Sequence, residues 1–255
     1  MKKPKIMIGT PCYGAMCTSG YMTSMVQLGS ELHHRGISFT MNVLGNESLV
    51  QRARNIIAHG FMASDCTHLL WVDADIQFQA EDVLTLLDLN VDIVGGNYPL
   101  KNINWDHVRR QIKAGKPDSM IQHCASDIVV VPKAVKKKKK IKLRSDKPFE
   151  VDYLGTGFML TTKAPYLAFQ KRFPDRWCHE PRKPIGKGDK VWLYYDCMND
   201  KDHVYLSEDY YFCAVAQQLG FKIHMAPWIQ LQHWGNRGFE GCYFCSQEAY
   251  IHEEN

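Results

Sequence analysis

Short apolar runs alternate with helix-period segments through residues 1–99, and no other feature of the chain constrains its fold as strongly. Residues 5–9 read as a strand. Residues 21–35 set Met22, Met25, Val26 and Leu32 on one helical face, with Gly36 as a C-terminal stop. Ile37, Phe39, Met41 and Val43 alternate as a second strand. Residues 48–62 form a helix with Leu49, Ala53, Ile56 and Ile57 inward, and residues 67–72 are a third strand. Residues 80–89 are a helix with Val83, Leu86 and Leu87 inward. Residues 92–94 begin a strand that runs into Gly95-Gly96-Asn97-Tyr98-Pro99. A β-α-β-α-β order needs right-handed crossovers, so the fold class is α/β, with a mainly parallel sheet and helices on both faces.

The second half is less regular. Residues 100–126 are polar and read as a mobile loop with a short helix near Trp105–Lys113. Residues 127–131 and 151–160 are strands. Residues 173–203 carry Pro, Gly and charge without a period and read as an insertion over one face. Residues 207–219 form a helix with Ser207 as N-cap and Gly220 past its end. Residues 221–225 and 229–233 are the last strands. There is no internal repeat and no linker, so the chain reads as one domain.

Composition excludes some classes. No apolar run approaches the ~18 residues of a membrane span, and Ile6-Met7-Ile8 is too short for a signal-peptide core. Nine cysteines, an odd number without a secretion signal, imply reduced thiols and a cytoplasmic setting. Cys242-Tyr243-Phe244-Cys245 is a zinc-type pair that Cys178, Cys197 or a histidine would have to complete; no second such pair exists. The net charge of +4 is uneven: residues 133–147 hold nine basic groups and one acid, leaving the rest of the chain at −4. That segment is either a solvated loop or a contact for phosphates.

Asp73-Ala74-Asp75 follows the third strand. At the carboxyl edge of an open α/β sheet, ligands bind. In an extended segment both carboxylates point the same way, and paired hard oxygens suit Mg²⁺ or Mn²⁺ on a diphosphate. A plain surface turn is the competing reading, because Asp is common after strands. Further motifs follow in order: Thr10-Pro11-Cys12-Tyr13-Gly14 closing strand one, Arg52-Ala53-Arg54-Asn55 in the second helix, Gly155-Thr156-Gly157 in an apolar strand, Ser207-Glu208-Asp209-Tyr210 opening a helix, and Gln232-His233-Trp234-Gly235. Arg52 and Arg54 point in different directions on a helix, so one of them, Arg54, is the candidate to reach Asp73 or a nucleotide. Glycines inside a strand imply close approach by a ligand or another backbone. Glu208 and Asp209 are either capping acids or catalytic ones.

This ordered set, spanning residues 5–235, resembles the glycosyltransferases of the GT-A fold, in particular the inverting family 2 type and its small versions in large viruses and phages. Residues 173–203, the lysine run and the tail after Gly238 have no counterpart in that pattern. The resemblance implies a nucleotide-sugar half over residues 1–99 and an acceptor-side half over 100–255. It implies a metal site of Asp73, Asp75 and His233 for Mn²⁺ or Mg²⁺. Thr10, Pro11, Tyr13, Arg54, Asp73, Gly96 and Asn97 would bound a nucleotide-sugar donor, a UDP-sugar in the first instance. Asp209, with Glu208 beside it, would be the catalytic base, held ionised by the helix dipole. The acceptor is a glycan or protein hydroxyl, or a hydroxymethyl-pyrimidine in viral DNA reached through residues 133–147, in the host cytoplasm. Two alternatives stand beside it: a nucleotidyl- or phosphotransferase using the Asp pair with Mg²⁺, and a non-catalytic nucleic-acid-binding protein.

Overall fold

The computed structural model describes residues 3–133, 145–179 and 190–243. The first half runs β1 (Lys5–Cys12), α1 (Ser19–His34), β2 (Ser38–Gly45), α2 (Val50–Ala63), β3 (His68–Val72), β4 (Ile76–Gln77), α3 (Ala80–Asp88) and β5 (Ile93–Asn97). Next come α4 (Trp105–Lys113), α5 (Asp118–His123), β6 (Val130–Pro132), β7 (Phe149–Leu154), β8 (Phe158–Thr162) and α6 (Ala164–Arg172). Two small antiparallel pairs follow, β9 (Trp177–His179) with β10 (Lys190–Trp192) and β11 (Met198–Asn199) with β12 (Tyr205–Leu206). The chain then forms α7 (Glu208–Gln218), β13 (Ile223–Gln230), β14 (Gln232–Trp234) and β15 (Gly238–Glu240).

Eight strands form one sheet in the order β2-β1-β3-β8-β5-β13-β7-β6. Parallel ladders join β1 to β2, β1 to β3 and β5 to β13. β8 and β7 are antiparallel to their neighbours, so the other six strands share one direction. The fold is therefore α/β with a mainly parallel sheet. β1, β3, β5 and β13 end at one edge, where ligands of such sheets sit.

Both faces of the sheet are covered. Along β1 and β3, Met7, Leu69 and Trp71 enter one core with Ile57 and Phe61 of α2, Phe169 of α6 and Phe212 of α7. The alternate residues Ile6, Ile8, Leu70 and Val72 enter the other, with Leu28 and Leu32 of α1 and Val83 of α3. Period-2 strands buried on both sides explain why these runs are uninterruptedly apolar.

Several sequence expectations change. Met22 and Val26 are 56% and 70% exposed. The buried stripe of α1 is Tyr21, Ser24, Met25, Leu28 and Leu32, which leaves Met22 and Val26 one residue off it. Residues 151–160 are two strands, β7 and β8, broken at Gly155-Thr156-Gly157. A Cβ on Gly155 would lie 2.1 Å from the Tyr98 hydroxyl, and one on Gly157 2.7 Å from Tyr98 Cζ. These glycines make room for a buried tyrosine rather than for a ligand. Residues 221–225 and 229–233 divide differently: β13 runs to Gln230 through an irregularity after Ala226, where Pro227 has no N–H for the ladder.

Residues 100–126 hold the expected short helix as α4 and a second one, α5. Asp127 knots them: its carboxylate accepts from the amides of Asn102 (2.8 Å) and Asn104 (2.9 Å), and its carbonyl accepts from Leu100 N–H (2.7 Å). Among the described residues no helix is long and apolar enough to cross a membrane. The lysine run 136–140 and Cys245 lie outside the described residues.

Candidate active site

Four strand ends converge at the carboxyl edge: Thr10–Cys12 ending β1 with Tyr13 beyond, Asp73–Asp75 after β3, Asn97 ending β5 with Tyr98 beyond, and His233 in β14 just past β13. Thr10 is fully buried, its hydroxyl 2.8 Å from that of Tyr21, so its side chain is committed to α1. Pro11 is half-buried, and Tyr13 projects from a short 3-10 turn with three-quarters of its surface exposed.

Arg54 is the centre of the site. It faces inward from α2 and is 3% exposed. Its Nη2 donates to both Asp73 oxygens (3.0 and 3.3 Å) and its Nε donates to Glu208 Oε1 (3.0 Å). The guanidinium lies 5.4 Å from the ring centre of buried Trp71. Burial opposes its charge, but Asp73, Glu208 and Asp209 outweigh that and raise its pKa well above the ordinary value. Arg52, on the other side of the helix, pairs instead with Glu47 at 2.6 Å. Asn55 anchors the same turn of α2 by clasping the backbone of Tyr195, donating at 2.7 Å and accepting at 2.9 Å.

Asp73-Ala74-Asp75 is a turn, not an extended segment: Ile76 N–H donates to Asp73 O at 3.0 Å. The two carboxylates accordingly take different partners. Asp73 belongs to Arg54. Asp75 Oδ2 receives Lys101 Nζ at 2.5 Å and faces His233 Nε2 at 3.4 Å. The pairing of β14 with β4 sets His233 opposite Ile76, and Trp234 N–H donates to Asp75 O at 2.8 Å, so backbone register brings His233 to Asp75. His233 Nδ1 is 2.8 Å from Pro99 O. A carbonyl only accepts, so Nδ1 carries hydrogen, and the ring presents Nε2 to Asp75. Burial alone would raise the Asp75 carboxyl, but the hydrogen bonds from His233 and Lys101 bring it below the ordinary value.

A divalent cation fits this point in part. Asp75 and His233 aim an oxygen and a ring nitrogen at one spot. Asp73 is spent on Arg54, and among the described residues no group of three or more His, Cys, Asp or Glu is placed to hold a metal. Substrate oxygens and water would have to complete the shell, as is usual for Mg²⁺ on phosphates. The charge balance among the described residues favours a cation: there Asp73, Asp75, Glu208 and Asp209 face Arg54 and Lys101 as permanent positive groups.

Glu208 and Asp209 open α7. The Ser207 hydroxyl does not cap the helix backbone; it donates to Asp209 Oδ1, which also accepts from Tyr210 N–H at 2.8 Å. Burial pushes the Asp209 carboxyl up and the charge of Glu208 adds to it, against Ser207, Arg54 and Tyr210. The net shift is upward, opposite to the effect expected of the helix dipole alone, because desolvation is the larger influence.

Gly96 lies within β5, where a Cβ would meet Ile229 Cγ2 at 2.6 Å. It is a packing glycine and does not line a cavity. Asn97 is fully buried, and neither its Nδ2 nor its Oδ1 has a partner among the described residues; the same holds for the Thr156 hydroxyl. Tyr98, which sequence reading passed over, is buried just past the end of β5. Its ring meets His233 edge-on at 5.5 Å, its hydroxyl accepts from Gly157 N–H, and burial with the charges of Asp73 and Asp209 raises its pKa. Lys101 was also missed; nothing local marks it, since its partner is 26 residues away.

No family model matches the chain, and no curated protein does. Solved structures similar to it include the STIV protein A197, 14% identical with a TM-score of 0.47, over 91% of this chain and 86% of that one. GalNAc-T7, in a structure with UDP, GalNAc and Mn²⁺, is 8% identical with a TM-score of 0.43, over 91% of this chain and 44% of that one. A glycosyltransferase involved in the glycosylation of the major capsid of PBCV-1 is 12% identical with a TM-score of 0.32, over 71% and 72%. At these scores the likenesses carry no weight by themselves. The chain's resemblance to GT-A-like glycosyltransferases stands on its α/β sheet and on the motif order found at the strand ends.

Proposed function

We propose that this chain is a nucleotide-sugar-dependent glycosyltransferase. The observation that carries the reading is the buried Arg54 bridge, which holds the strand-end Asp73 and the helix-start Glu208 on one guanidinium. One ion network thereby ties the donor-side carboxylate turn to the acceptor-side acidic pair.

In this reading the nucleotide lies along Pro11 and Tyr13, with the exposed Tyr13 ring bordering the base and buried Thr10 bracing the strand end beneath. Arg54 orients Asp73 toward the ribose, and the unpartnered amide of Asn97 reaches the donor. Asp75 and His233 would hold Mn²⁺ or Mg²⁺, which when bound neutralises a departing diphosphate. Asp209 accepts the acceptor hydroxyl's proton. As that oxygen bonds to the anomeric carbon, the carbon–oxygen bond to the diphosphate breaks and the diphosphate leaves with the electron pair. Attack from the face opposite the leaving group inverts the anomeric configuration. A raised Asp209 pKa makes it a stronger base.

UDP is the donor nucleotide we favour, and a glycan or protein hydroxyl the acceptor. The DNA acceptor rested on residues 133–147. Of these Lys133 pairs with Glu150 at 2.5 Å, and 136–140 lie outside the described residues.

The test is thermal stabilisation by UDP with Mn²⁺. The parent should be stabilised by the pair together and Asp75→Ala should lose the metal-dependent part. Equal stabilisation of both proteins would remove Asp75 from the site.

A further inference from the structure

Beside Asp75 opens a cleft of ≈ 440 Å³ between residues 101–105 and the β14–β15 turn. Its position, lining and stiffness each bear on what enters it.

Position comes first. Lys101 lines the cleft and simultaneously bonds Asp75, so the cavity begins where the proposed donor diphosphate ends. The stem of Lys101 passes Gly235, where a Cβ would stand 3.3 Å from its Cδ, so the missing side chain keeps the passage open.

The lining is amphipathic. Trp105, Ile103 and Phe239 give apolar surface, and Asn236 and Arg237 give polar groups at the mouth. Trp105 is 61% exposed, and α4, which it begins, has no buried residue. Arg237 lies 4.9 Å over the Phe239 ring, which fixes that wall. Among the described residues no carboxylate lines the cleft. A pyranose has this same division, an apolar C–H face and a rim of hydroxyls, and the volume falls in the range of small-ligand pockets.

The stiffness is unusual for an exposed tryptophan. The knot at Asp127 fixes Asn102 and Asn104 on either side of Ile103, the Asn104 backbone donates to Ala125 O at 2.7 Å, and Asn104 Oδ1 caps α4 at Asp106 and His107. The Trp105 platform is thus pre-organised, which reduces the entropy lost when a ligand stacks on it.

We infer that this cleft is the acceptor subsite and that it takes a pyranose ring stacked on Trp105, with Asn236 and Arg237 meeting its hydroxyls. The inference rests on the glycosyltransferase reading and makes the acceptor a saccharide rather than a nucleic acid.

The experiment is saturation-transfer NMR on the whole chain with a panel of methyl pyranosides (glucoside, galactoside, mannoside, xyloside and N-acetylglucosaminide), with UDP binding followed in parallel. At least one pyranoside should receive saturation from the parent. Trp105→Ala should weaken that ligand on the order of tenfold or more, Trp105→Phe should recover part of the affinity, and UDP binding should not change. Pyranoside binding equal in parent and Trp105→Ala, or none in the parent, overturns the subsite. Saturation of an oligothymidylate in place of the sugars, lost in Trp105→Ala, overturns the saccharide assignment. Loss of UDP binding in the parent with pyranoside binding intact would sink the glycosyltransferase reading and leave the sugar cleft standing.

Discussion

Replacing Arg54 by Met should be among the most damaging single changes in this protein. The side chain is 3% exposed and bonds Asp73 and Glu208, with Asp209 close enough to raise its pKa. Methionine keeps the packing against Trp71 and removes the charge. The carboxylates then share a poorly hydrated space with no cation. Breaking a buried pair by removing one partner costs about 3–5 kcal/mol, on the order of 10 °C in Tm for a chain of this size. The loss depends on pH with a definite sign. Arg54 is one of the groups that hold the buried Asp209 carboxyl down, so without it the folded-state pKa of Asp209 rises further above its unfolded value. Its protonated form then favours the fold at low pH, and that contribution disappears as pH rises through the folded value. The deficit relative to the parent should therefore shrink between about pH 7 and about pH 4.5. Adding Glu208→Gln should recover part of the loss, since the two sites share one network. The assay is denaturant unfolding of parent, single and double variants at both pH values. A deficit below ~1 kcal/mol, or one independent of pH, would refute the view of Arg54 as the charge that holds this site together.

Asp209→Asn should fold and bind UDP yet lose turnover by a factor on the order of 10² or more; in the parent, the acid limb of kcat/KM should lie above the ordinary aspartate value, because burial and Glu208 raise this carboxyl. A limb at or below that value would move the base elsewhere. Lys101→Met should bind Mn²⁺ more tightly than the parent without nucleotide, measured by electron paramagnetic resonance, because the ammonium competes for Asp75 Oδ2; unchanged affinity would show that Lys101 does not stand in the cation's place. Gly155→Ala should cost about 1–3 kcal/mol by overpacking, and Tyr98→Phe in the same chain should recover part of it, since the closest clash is with the hydroxyl.

The strand and helix alternation of the first half was legible because β1, β3 and β5 are buried on both faces and read as unbroken apolar runs. The place of α4, near Trp105–Lys113, was also legible. What escaped reading is non-local. The break between β7 and β8 depends on Tyr98, which no pattern near Gly155 discloses. The stripe of α1 shifted by one residue because tertiary contact chose Tyr21 and Leu28 over Met22 and Val26. In the site, Asp73 and Asp75 were nameable from their strand-end position and Arg54 from its place in α2, while Glu208, Asp209 and His233 were named through the family resemblance. Their pairing was not: that Arg54 takes Asp73 while Lys101 takes Asp75 follows from the turn at 73–76 and from residues 26 positions apart. Tyr98, Lys101 and Trp105 carry no motif of their own and become visible only once β14 has folded back onto β4.

The central claim is that the strand-end site holds a nucleotide sugar and breaks its anomeric bond. Incubation of the protein with a panel of nucleotide sugars and Mn²⁺, followed by chromatography for released nucleoside diphosphate, tests it directly. The account predicts slow release from at least one UDP-sugar, faster with a matching pyranoside present, and none from Asp75→Ala. Release of nucleoside monophosphate and sugar phosphate instead, or no turnover of any donor with or without a pyranoside, would contradict it.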